Sequence, residues 1–313
     1  MLPQPSAAEG TLRAWETAFW GDWPMGSIAE RRAWLDGAAP LGLDPAWLWG
    51  VGLPLAANLE RQLQTHGFFV QGISGVQGAG KTTLAKRLRD LLALRGWRVL
   101  TLSLDDFYLP YAERRALRAQ DPALIWRGPP GTHDVGLALA VLEGLRRGLP
   151  TTVPRFDKSL HHGQGDRLPG ETVERVDGVL VEGWCWGYEP LAVFPEVWPA
   201  ELREPAAQEF AQRCNRRLAA YLPLWDAGDR HWWWRPQNWR WSRAWRLAAE
   251  QQQRALGQPG LDDRACERFV EYFWQALHPE LYWPILNQSG RWHRIVTLGR
   301  DRTPLFVSPP SPL

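Results

Sequence analysis

The chain has 313 residues, which is enough for one α/β domain with helical additions or for two modest domains. Lysine and arginine number 36 and aspartate and glutamate 34, so the formal net charge of +2 lacks the basic excess typical of non-specific nucleic-acid binding. No apolar run approaches the ~18 residues that span a bilayer, and residues 1–10 lack a secretory signal, so we expect a soluble protein whose partner is a small molecule rather than a nucleic acid or a membrane.

The cysteines favour an intracellular location. Cys185, Cys214 and Cys266 lie far apart in the sequence and form neither a CxxC pair nor a metal-ligand spacing. An odd number of separated cysteines is typical of reduced thiols rather than of a disulfide framework. We therefore expect a cytoplasmic protein without disulfide bonds.

The first part of the chain predicts a helical cap followed by a βαβ unit. Residues 1–66 have a helical, Trp-rich pattern, which we assign to an N-terminal cap. The apolar run 68–74 predicts a buried strand, 81–94 a helix that stops at Gly96, and 98–104 a second strand. Since the order is strand, loop, helix, strand, these elements predict a parallel sheet.

The alternation continues through the rest of the chain. Further elements are predicted in the order helix, strand, three helices and strand, at 135–147, 178–181, 201–222, 240–256, 262–277 and 294–298. We expect one main domain over residues 67–303, with a helical lid or insert around 200–285, and a flexible Pro/Ser-rich tail over 304–313. The predicted fold class is α/β, with a parallel sheet flanked by helices and with extra N-terminal and C-terminal helices.

A glycine-rich loop predicts a nucleotide site. The segment GVQGAGKT at 75–82 matches GxxxxGK[ST] at every specified position, and it lies between a predicted strand and a predicted helix, which argues against a chance Gly-rich turn. Backbone N–H groups of such a loop bind phosphates, while the lysine reaches the β- and γ-phosphates and the threonine binds Mg²⁺. The predicted contacts to ATP are Gly75, Val76, Gln77, Gly78, Ala79, Gly80, Lys81, Thr82 and Thr83.

Carboxylates at the ends of two predicted strands indicate the chemistry. Asp105 and Asp106 follow the strand 98–104, and Glu182 follows the strand 178–181. We predict Asp105 as the general base for an attacking hydroxyl, Asp106 as a substrate or metal contact, and Glu182 as an acid that binds Mg²⁺ together with Thr82 and Asp105. The alternatives are a capping turn for the aspartate pair and a solvated strand-end acid for Glu182.

Three further segments, 127–134, 154–159 and 163–167, supply cations for an anionic acceptor. Thr132 or Asp134 is an equally good N-cap for the helix that follows, and His161 and His162 fit an exposed loop. No cysteine or acid stands at a spacing that predicts a zinc site. The predicted substrate contacts are Asp106, Tyr108, Arg127, His133, Arg155, Lys158 and Arg167.

The stretch 231–246 interleaves tryptophan with arginine, a pattern that also occurs where proteins stack single-stranded nucleic acid. Trp241 and Trp245 are separated by four residues, which is the spacing of one buried helix face. Together with the near-neutral charge, this spacing favours core packing over base stacking.

Several motifs together resemble a known family. They are GISGVQGAGKTT, LDDFYL, RGPPGTHD, PRFDKS with GQGDR, VEGWCWG, NRRLAAYLPLW and WRLAAEQQ, and they cover about residues 53–286. The chain resembles the D-glycerate 3-kinases of plants, fungi and cyanobacteria, within the phosphoribulokinase and uridine kinase superfamily. The resemblance implies a P-loop NTPase fold and places Asp105 at the catalytic acid, Glu182 at a second acid and Arg167 at a substrate or phosphate arginine.

The reaction that this resemblance implies is transfer of phosphate from ATP to D-glycerate, giving ADP and 3-phosphoglycerate, as in photorespiratory carbon recovery. Other functions stay open from the sequence. One is a related kinase with a nucleoside or pantothenate acceptor, and another is a nucleotide-dependent switch, although NKxD and LSGGQ signatures are absent from the sequence. A third is RNA binding through the Trp/Arg stretch. The oligomeric state is not predicted.

Overall fold

The computed structural model describes residues 36–44, 47–257 and 260–308. Most of the predicted N-terminal cap, residues 1–35, lies outside the described residues. The helices are α1 Leu53–His66, α2 Lys81–Ala93, α3 Tyr111–Gln120, α4 Val135–Arg146, α5 Pro205–Leu218, α6 Leu222–Asp226, α7 Trp241–Ala255, α8 Asp263–Ala276 and α9 Pro279–Leu286. The strands are β1 Phe69–Gly75, β2 Val99–Ser103, β3 Thr151–Asp157, β4 Asp166–Val173, β5 Gly178–Gly183, β6 Arg230–Pro236, β7 Arg294–Leu298 and β8 Pro304–Ser308.

The predicted parallel sheet flanked by helices is confirmed. Six strands form one sheet in the order β2-β5-β1-β6-β7-β8, and all neighbours are parallel except β7 and β8. In the register of this sheet, Ser103 pairs with Glu182 and Ser74 with Gly183. The carboxyl ends of β1, β2 and β5 therefore meet at one edge, which brings the glycine-rich loop beside Asp105 and Glu182.

Apolar side chains cover both faces of the sheet. On one face, α1 and α2 pack against β1 with buried residues such as Leu59, Leu88 and Ile73. On the other face, Val70 and Val181 pack with side chains of α4 and α5. Because a central parallel strand is buried on both faces, its sequence does not alternate between apolar and polar residues, and β1 is largely apolar.

The strand β6 was not predicted, although its tryptophans do pack in the core as expected. Trp232 and Trp234 lie on the α1 and α2 face of the sheet, whereas Trp233 lies on the opposite face and stacks on Trp292. All three of these consecutive side chains are at most 4% exposed. Core packing of the Trp/Arg stretch is thus confirmed for this strand, and its rings are not available for stacking on nucleic-acid bases.

Two other expectations about local structure were wrong. The segments 154–159 and 163–167 were predicted as loops, but residues 154–157 belong to β3 and residues 166–167 to β4, and only the turn between them is a loop. The two strands form a separate antiparallel hairpin in which Asp157 pairs with Asp166. Residues 304–308, predicted as part of a flexible tail, form the edge strand β8 against β7. Pro304 lacks an N–H, a deficit that an edge strand tolerates. Residues 309–313 of that tail lie outside the described residues.

The predicted helix 201–222 is divided. A 3₁₀ turn at Ala200–Leu202 precedes α5, and a second 3₁₀ turn at Ala219–Tyr221 separates α5 from α6. Pro205 at the start of α5 and Pro223 at the start of α6 explain the division, because proline lacks the N–H that a helix interior requires. Among the described helices, none combines the length and hydropathy of a membrane span.

Candidate active site

The glycine-rich loop connects β1 to α2 as its motif predicts. Gly78 and Gly80 have φ angles of +74° and +85°, a conformation that other residues adopt only with strain. A Cβ atom at Gly78 would lie 2.7 Å from Cβ of Trp245, and one at Gly75 would lie 2.5 Å from the carbonyl oxygen of Trp234. The glycines are therefore needed both for the backbone path and for close packing against β6 and α7.

We expect Gly78→Ala to lower the free energy of unfolding by at least ~2 kcal/mol, because positive-φ strain adds to overpacking against Trp245. It should also weaken ATP binding. Gly148→Ala is the matched control, since Gly148 has a φ of +67° and no described atom within 4 Å of its Cβ. Urea denaturation and ATP titration measure both effects. Equal losses in the two variants would show that packing against α7 contributes nothing.

Lys81, Thr82 and Glu182 form one polar cluster at the start of α2. The Lys81 ammonium donates to the Val76 carbonyl at 3.1 Å and lies 4.0 Å from Oε2 of Glu182. The Thr82 hydroxyl donates to Oε1 of Glu182 at 2.6 Å. Burial lowers the pKa of Lys81, and the neighbouring carboxylates Glu182 and Asp105 oppose that effect. The cluster thus presents a buried ammonium group and two hard oxygen donors beside the loop.

Asp105 and Asp106 have different hydrogen-bond partners, because a capping box on the turn Leu104–Phe107 engages the Asp106 carboxylate. The Ser103 hydroxyl accepts from the Asp105 N–H at 3.2 Å, and the Asp106 carboxylate accepts from the Ser103 N–H at 2.9 Å. The capping alternative is therefore confirmed for Asp106, which also contacts Arg155 at 3.4 Å. Asp105 is left to accept a hydrogen bond from the Lys158 ammonium at 2.6 Å.

The charge of Asp105 depends on Lys158. Burial on its own would raise the pKa of this carboxyl, but the Lys158 ammonium and a hydrogen bond from Tyr108 outweigh burial and hold the pKa well below its usual range. Asp105 is consequently ionised at neutral pH. It can accept a proton from a reacting hydroxyl only weakly while Lys158 stays in contact, and more strongly once Lys158 moves away.

These groups surround one cavity of about 500 Å³, hereafter the main cavity. The glycine-rich loop contributes residues 77, 78 and 80–83, and Asp105, Lys158 and Glu182 also line it. Asp106, Tyr108 and Arg127, which were predicted as substrate contacts, are part of the same wall. The structure therefore brings the phosphate loop, the predicted base and two predicted substrate cations into a single space.

Three predicted substrate contacts do not line the main cavity. His133 is buried behind Tyr108, with ring centroids 4.6 Å apart, and its Nδ1 lies 2.8 Å from the Tyr221 hydroxyl. Arg167 donates to the Tyr108 carbonyl, and Arg155 pairs with Glu171 and Asp106. All three support residues of the cavity wall from behind.

Nearby polar residues have structural roles. The Asp134 carboxylate caps α4 by accepting from the Leu137 N–H at 3.0 Å, as the N-cap alternative predicted. His161 and His162 are exposed, as expected for a loop. His133, predicted to supply a cation for the acceptor, lies behind the cavity wall, and burial lowers its pKa to about 4.

His133 gives the protein a specific acid sensitivity. Because the pKa of His133 is about 4 in the folded chain and has its ordinary value of 6.5 in the unfolded chain, the unfolded state takes up the proton first as the pH falls. The stability contribution is present above pH 6.5 and is lost as the pH falls towards 4, and in full it amounts to about 3 kcal/mol. We expect His133→Phe to reduce the pH dependence of urea denaturation between pH 7 and 4.5, to which the lowered pKa values of His231 and His293 contribute in the same direction. An unchanged slope would contradict a neutral, buried His133.

The part of the main cavity that α7 and α8 provide was not predicted from the sequence. Arg246, Ala249 and Gln252 of α7 and Phe269 and Phe273 of α8 line it. These helices lie far along the chain from the glycine-rich loop, so local patterns do not connect them. The one available signal was the motif WRLAAEQQ, which contributed to the family resemblance without a role for any residue.

Arg246 is the missed residue with the clearest electrostatic character. It forms an ion pair with Glu250, whose side chain is 3% exposed, and it lies 5.5 Å from the ring centroid of Phe269. Its Nε atom is buried and has no hydrogen-bond partner among the described residues. Because Gly78 packs directly against the Arg246 backbone, this part of α7 lies beside the phosphate loop, and Arg246 lines the main cavity there.

Comparisons with known proteins identify relatives of this chain among the kinases. A chloroplastic D-glycerate 3-kinase of Arabidopsis thaliana is 35% identical over 233 residues, which is 71% of this chain and 49% of that protein, so the chain spans about half the length of this relative. The uncharacterized kinase mug58 of Schizosaccharomyces pombe is 33% identical over 227 residues, which is 69% of this chain and 82% of that protein. No protein-family model matches the chain.

One solved structure resembles the fold over most of its length. The D-glycerate 3-kinase of Cryptococcus neoformans var. grubii superposes with a TM-score of 0.67 at 26% sequence identity. The superposition covers 82% of this chain and 97% of that chain. The similarity therefore extends over most of both chains.

Proposed function

This chain belongs to the family of P-loop kinases related to D-glycerate 3-kinase, and from that premise we propose that it transfers the γ-phosphate of ATP to the primary hydroxyl of D-glycerate. The products are ADP and 3-phosphoglycerate. The observation that carries the proposal is that Asp105 and Lys158 face the same cavity as Lys81 and the glycine-rich loop. A base, a cation for the acceptor and the phosphate-binding loop thus line one cavity.

The phosphates of ATP lie on the loop between β1 and α2. Backbone N–H groups of the loop and the N-terminus of α2 bind the phosphate oxygens, and Lys81 neutralises charge on the transferred group. The Thr82 hydroxyl and the Glu182 carboxylate are hard oxygen donors of the kind that Mg²⁺ takes. A bound Mg²⁺ ion supplies charge neutralisation at the β- and γ-phosphates.

The Thr82 hydroxyl and the Glu182 carboxylate suit a metal ion that also binds the phosphates of a nucleotide. In the described part of the chain, no group of three or more His, Cys, Asp or Glu side chains could hold a metal ion by itself. Mg²⁺ in phosphoryl-transfer sites commonly takes one or two protein ligands together with substrate phosphates and water. Thr82 and Glu182, which contact each other directly, are sufficient for that arrangement.

The acceptor occupies the end of the main cavity at Asp105. Lys158 and Arg127 supply positive charge for the carboxylate of the acid, and Tyr108 and Phe156 form a wall that excludes water. When Lys158 turns from Asp105 to the acceptor, the basicity of Asp105 rises and its carboxylate takes the proton of the attacking hydroxyl. Substrate binding and base activation are in this way coupled through one lysine.

Acceptor identity is tested by ADP release in a coupled assay. The assay compares D-glycerate, uridine, pantothenate and ribulose 5-phosphate at equal concentrations with Mg-ATP. We expect turnover on D-glycerate to exceed turnover on each of the others by at least about tenfold. No turnover on D-glycerate, with turnover on uridine or pantothenate, would discard the acid acceptor and keep the kinase.

Arg246 is expected to act on the transferred phosphate, because it lines the main cavity beside Gly78. Arg246→Gln should lower kcat by about 10²-fold with a small change in the KM for D-glycerate. The matched control is Arg243→Gln on the same helix. Arg243 pairs with Glu271 and lies over Trp274, and it does not line the main cavity. Equal kcat values for the two variants would remove Arg246 from the proposal.

A further inference from the structure

A second cavity, of about 420 Å³, lies along α3 on the outer side of Arg127. Among the described residues, four arginines line it, namely Arg114, Arg115, Arg118 and Arg127, and no acidic residue does. Arg127 is shared, because it lines this cavity and the main cavity as well. We refer to the space beside these four arginines as the α3 cavity.

The positive charge of the α3 cavity is not neutralised by ion pairs. Arg114 donates to the carbonyls of Leu109, Gln164 and Gly165, and Arg127 donates to those of Gly163 and Gln164. Carbonyl oxygens satisfy the donors but leave the net charge in place. Within the described ranges, no carboxylate lies within ion-pair distance of Arg115 or Arg118.

The surroundings of the Arg114 guanidinium lower its pKa. Burial lowers the pKa of Arg114, the neighbouring Arg127 lowers it further, and Asp166 opposes them only in part. The carboxylate of Asp166 is already engaged by the Tyr111 N–H and by His161. A like-charged cluster in a concave site raises the local concentration of anions.

The rest of the wall is apolar and aromatic. Tyr111, Leu117, Leu124, Ile125 and Trp126 line it, and Ile125 is 37% exposed. Such a wall accommodates the carbon skeleton of a small organic molecule, while planar guanidinium groups match the oxygens of a phosphate group. We propose that the α3 cavity binds a phosphate group, either inorganic phosphate or the phosphate of a small phosphorylated metabolite, and that its occupation inhibits the kinase.

The expected inhibition depends on the hydrogen bonds of Arg127 to the hairpin of β3 and β4. This part of the proposal rests on the proposed function. Arg114 and Arg127 together fix the carbonyls of residues 163–165, at the tip of the β3–β4 hairpin. The same tip carries Lys158, the partner of Asp105. An anion in the α3 cavity draws Arg127 away from the hairpin tip and from the main cavity, so the acceptor loses a cation and Lys158 loses its support.

Binding is measured by calorimetry on the full chain at 0.15 M salt, with saturating Mg-ADP on the phosphate loop. Inorganic phosphate and 3-phosphoglycerate are titrated separately, so that the two arms show whether the site takes the free ion or the ester. The test variant is Arg115→Gln/Arg118→Gln, which alters two exposed arginines outside the main cavity. Arg147→Gln/Arg175→Gln removes the same charge from exposed positions outside both cavities.

For at least one of the two probes, we expect the wild type and the control to differ from the test variant in the same way. They should bind one more equivalent of that probe, or bind it at least ~10-fold more tightly. The kinase assay should show inhibition by that probe in the wild type and in the control, and at least ~10-fold weaker inhibition in the test variant. Equal binding of both probes by all three proteins would overturn the site. Equal inhibition with unequal binding would overturn the coupling. Since binding needs no turnover, failure of the glycerate assay leaves the binding result decisive.

Discussion

Asp105→Asn should lower kcat by about 10²–10⁴-fold and leave the affinity for ATP within about twofold. The amide has nearly the same shape as the carboxylate but cannot take the proton of the acceptor hydroxyl. Because the phosphate loop and Lys81 are unaltered, nucleotide binding is retained. The measurements are kcat at saturating Mg-ATP and D-glycerate, and ATP binding by calorimetry.

Asp106→Asn is the control for this substitution. Its side chain keeps an oxygen that can accept from the Ser103 N–H, so the capping box persists and turnover should fall by less than about tenfold. The hydrogen bond from Lys158 reaches Asp105 and not Asp106, which separates the roles of the two neighbours. If Asp105→Asn kept near-full activity while Asp106→Asn lost it, the base would be Asp106.

Lys81→Ala has the second large expected effect, and it acts on binding and turnover together. Lys81 is 8% exposed, and its ammonium lies 4.0 Å from the Glu182 carboxylate. Its removal leaves the phosphates without their nearest cation and the buried carboxylate without a positive neighbour. We expect ATP affinity to fall by ~10–100-fold and kcat/KM by at least ~10³-fold.

Lys86→Ala provides the comparison for Lys81→Ala on the same helix. Lys86 is exposed and does not line the main cavity, so the variant should keep wild-type ATP affinity and turnover. Calorimetry with ATP and initial rates on D-glycerate measure both proteins. A Lys81→Ala variant with the ATP affinity of Lys86→Ala would show that the loop backbone alone holds the nucleotide.

The parts of the fold that the sequence predicts correctly are those with strong local signals. The apolar run of β1, the glycine-rich loop and the start of α2 follow one another within a few residues, and the loop fixes the order of strand and helix. The strand β6 escaped prediction because, unlike β1, it is followed by no glycine-rich motif that fixes its place in the order of strands and helices. Its pairing with β1 joins residues about 160 positions apart, for example Gly72 with His231.

The site shows the same division between local and long-range information. Asp105, Glu182 and Lys158 were predictable because strand ends and motif positions mark them in the sequence. The local sequence does not show whether a side chain is buried. His133 was therefore predicted to supply a cation, although its ring is enclosed and its pKa is lowered by burial. Arg246 was missed because its contact with the loop at Gly78 depends on the placement of α7 across the sheet edge.

In the proposed reaction, the main cavity holds an acid acceptor, whose hydroxyl Asp105 presents to the terminal phosphorus of ATP. This proposal is tested most directly by ³¹P NMR of a reaction that contains Mg-ATP, D-glycerate and the wild-type chain. We expect the phosphate monoester signal of 3-phosphoglycerate to grow at the same rate as the signals of ADP. Growth of inorganic phosphate alone would contradict it, since water rather than glycerate would then be the acceptor.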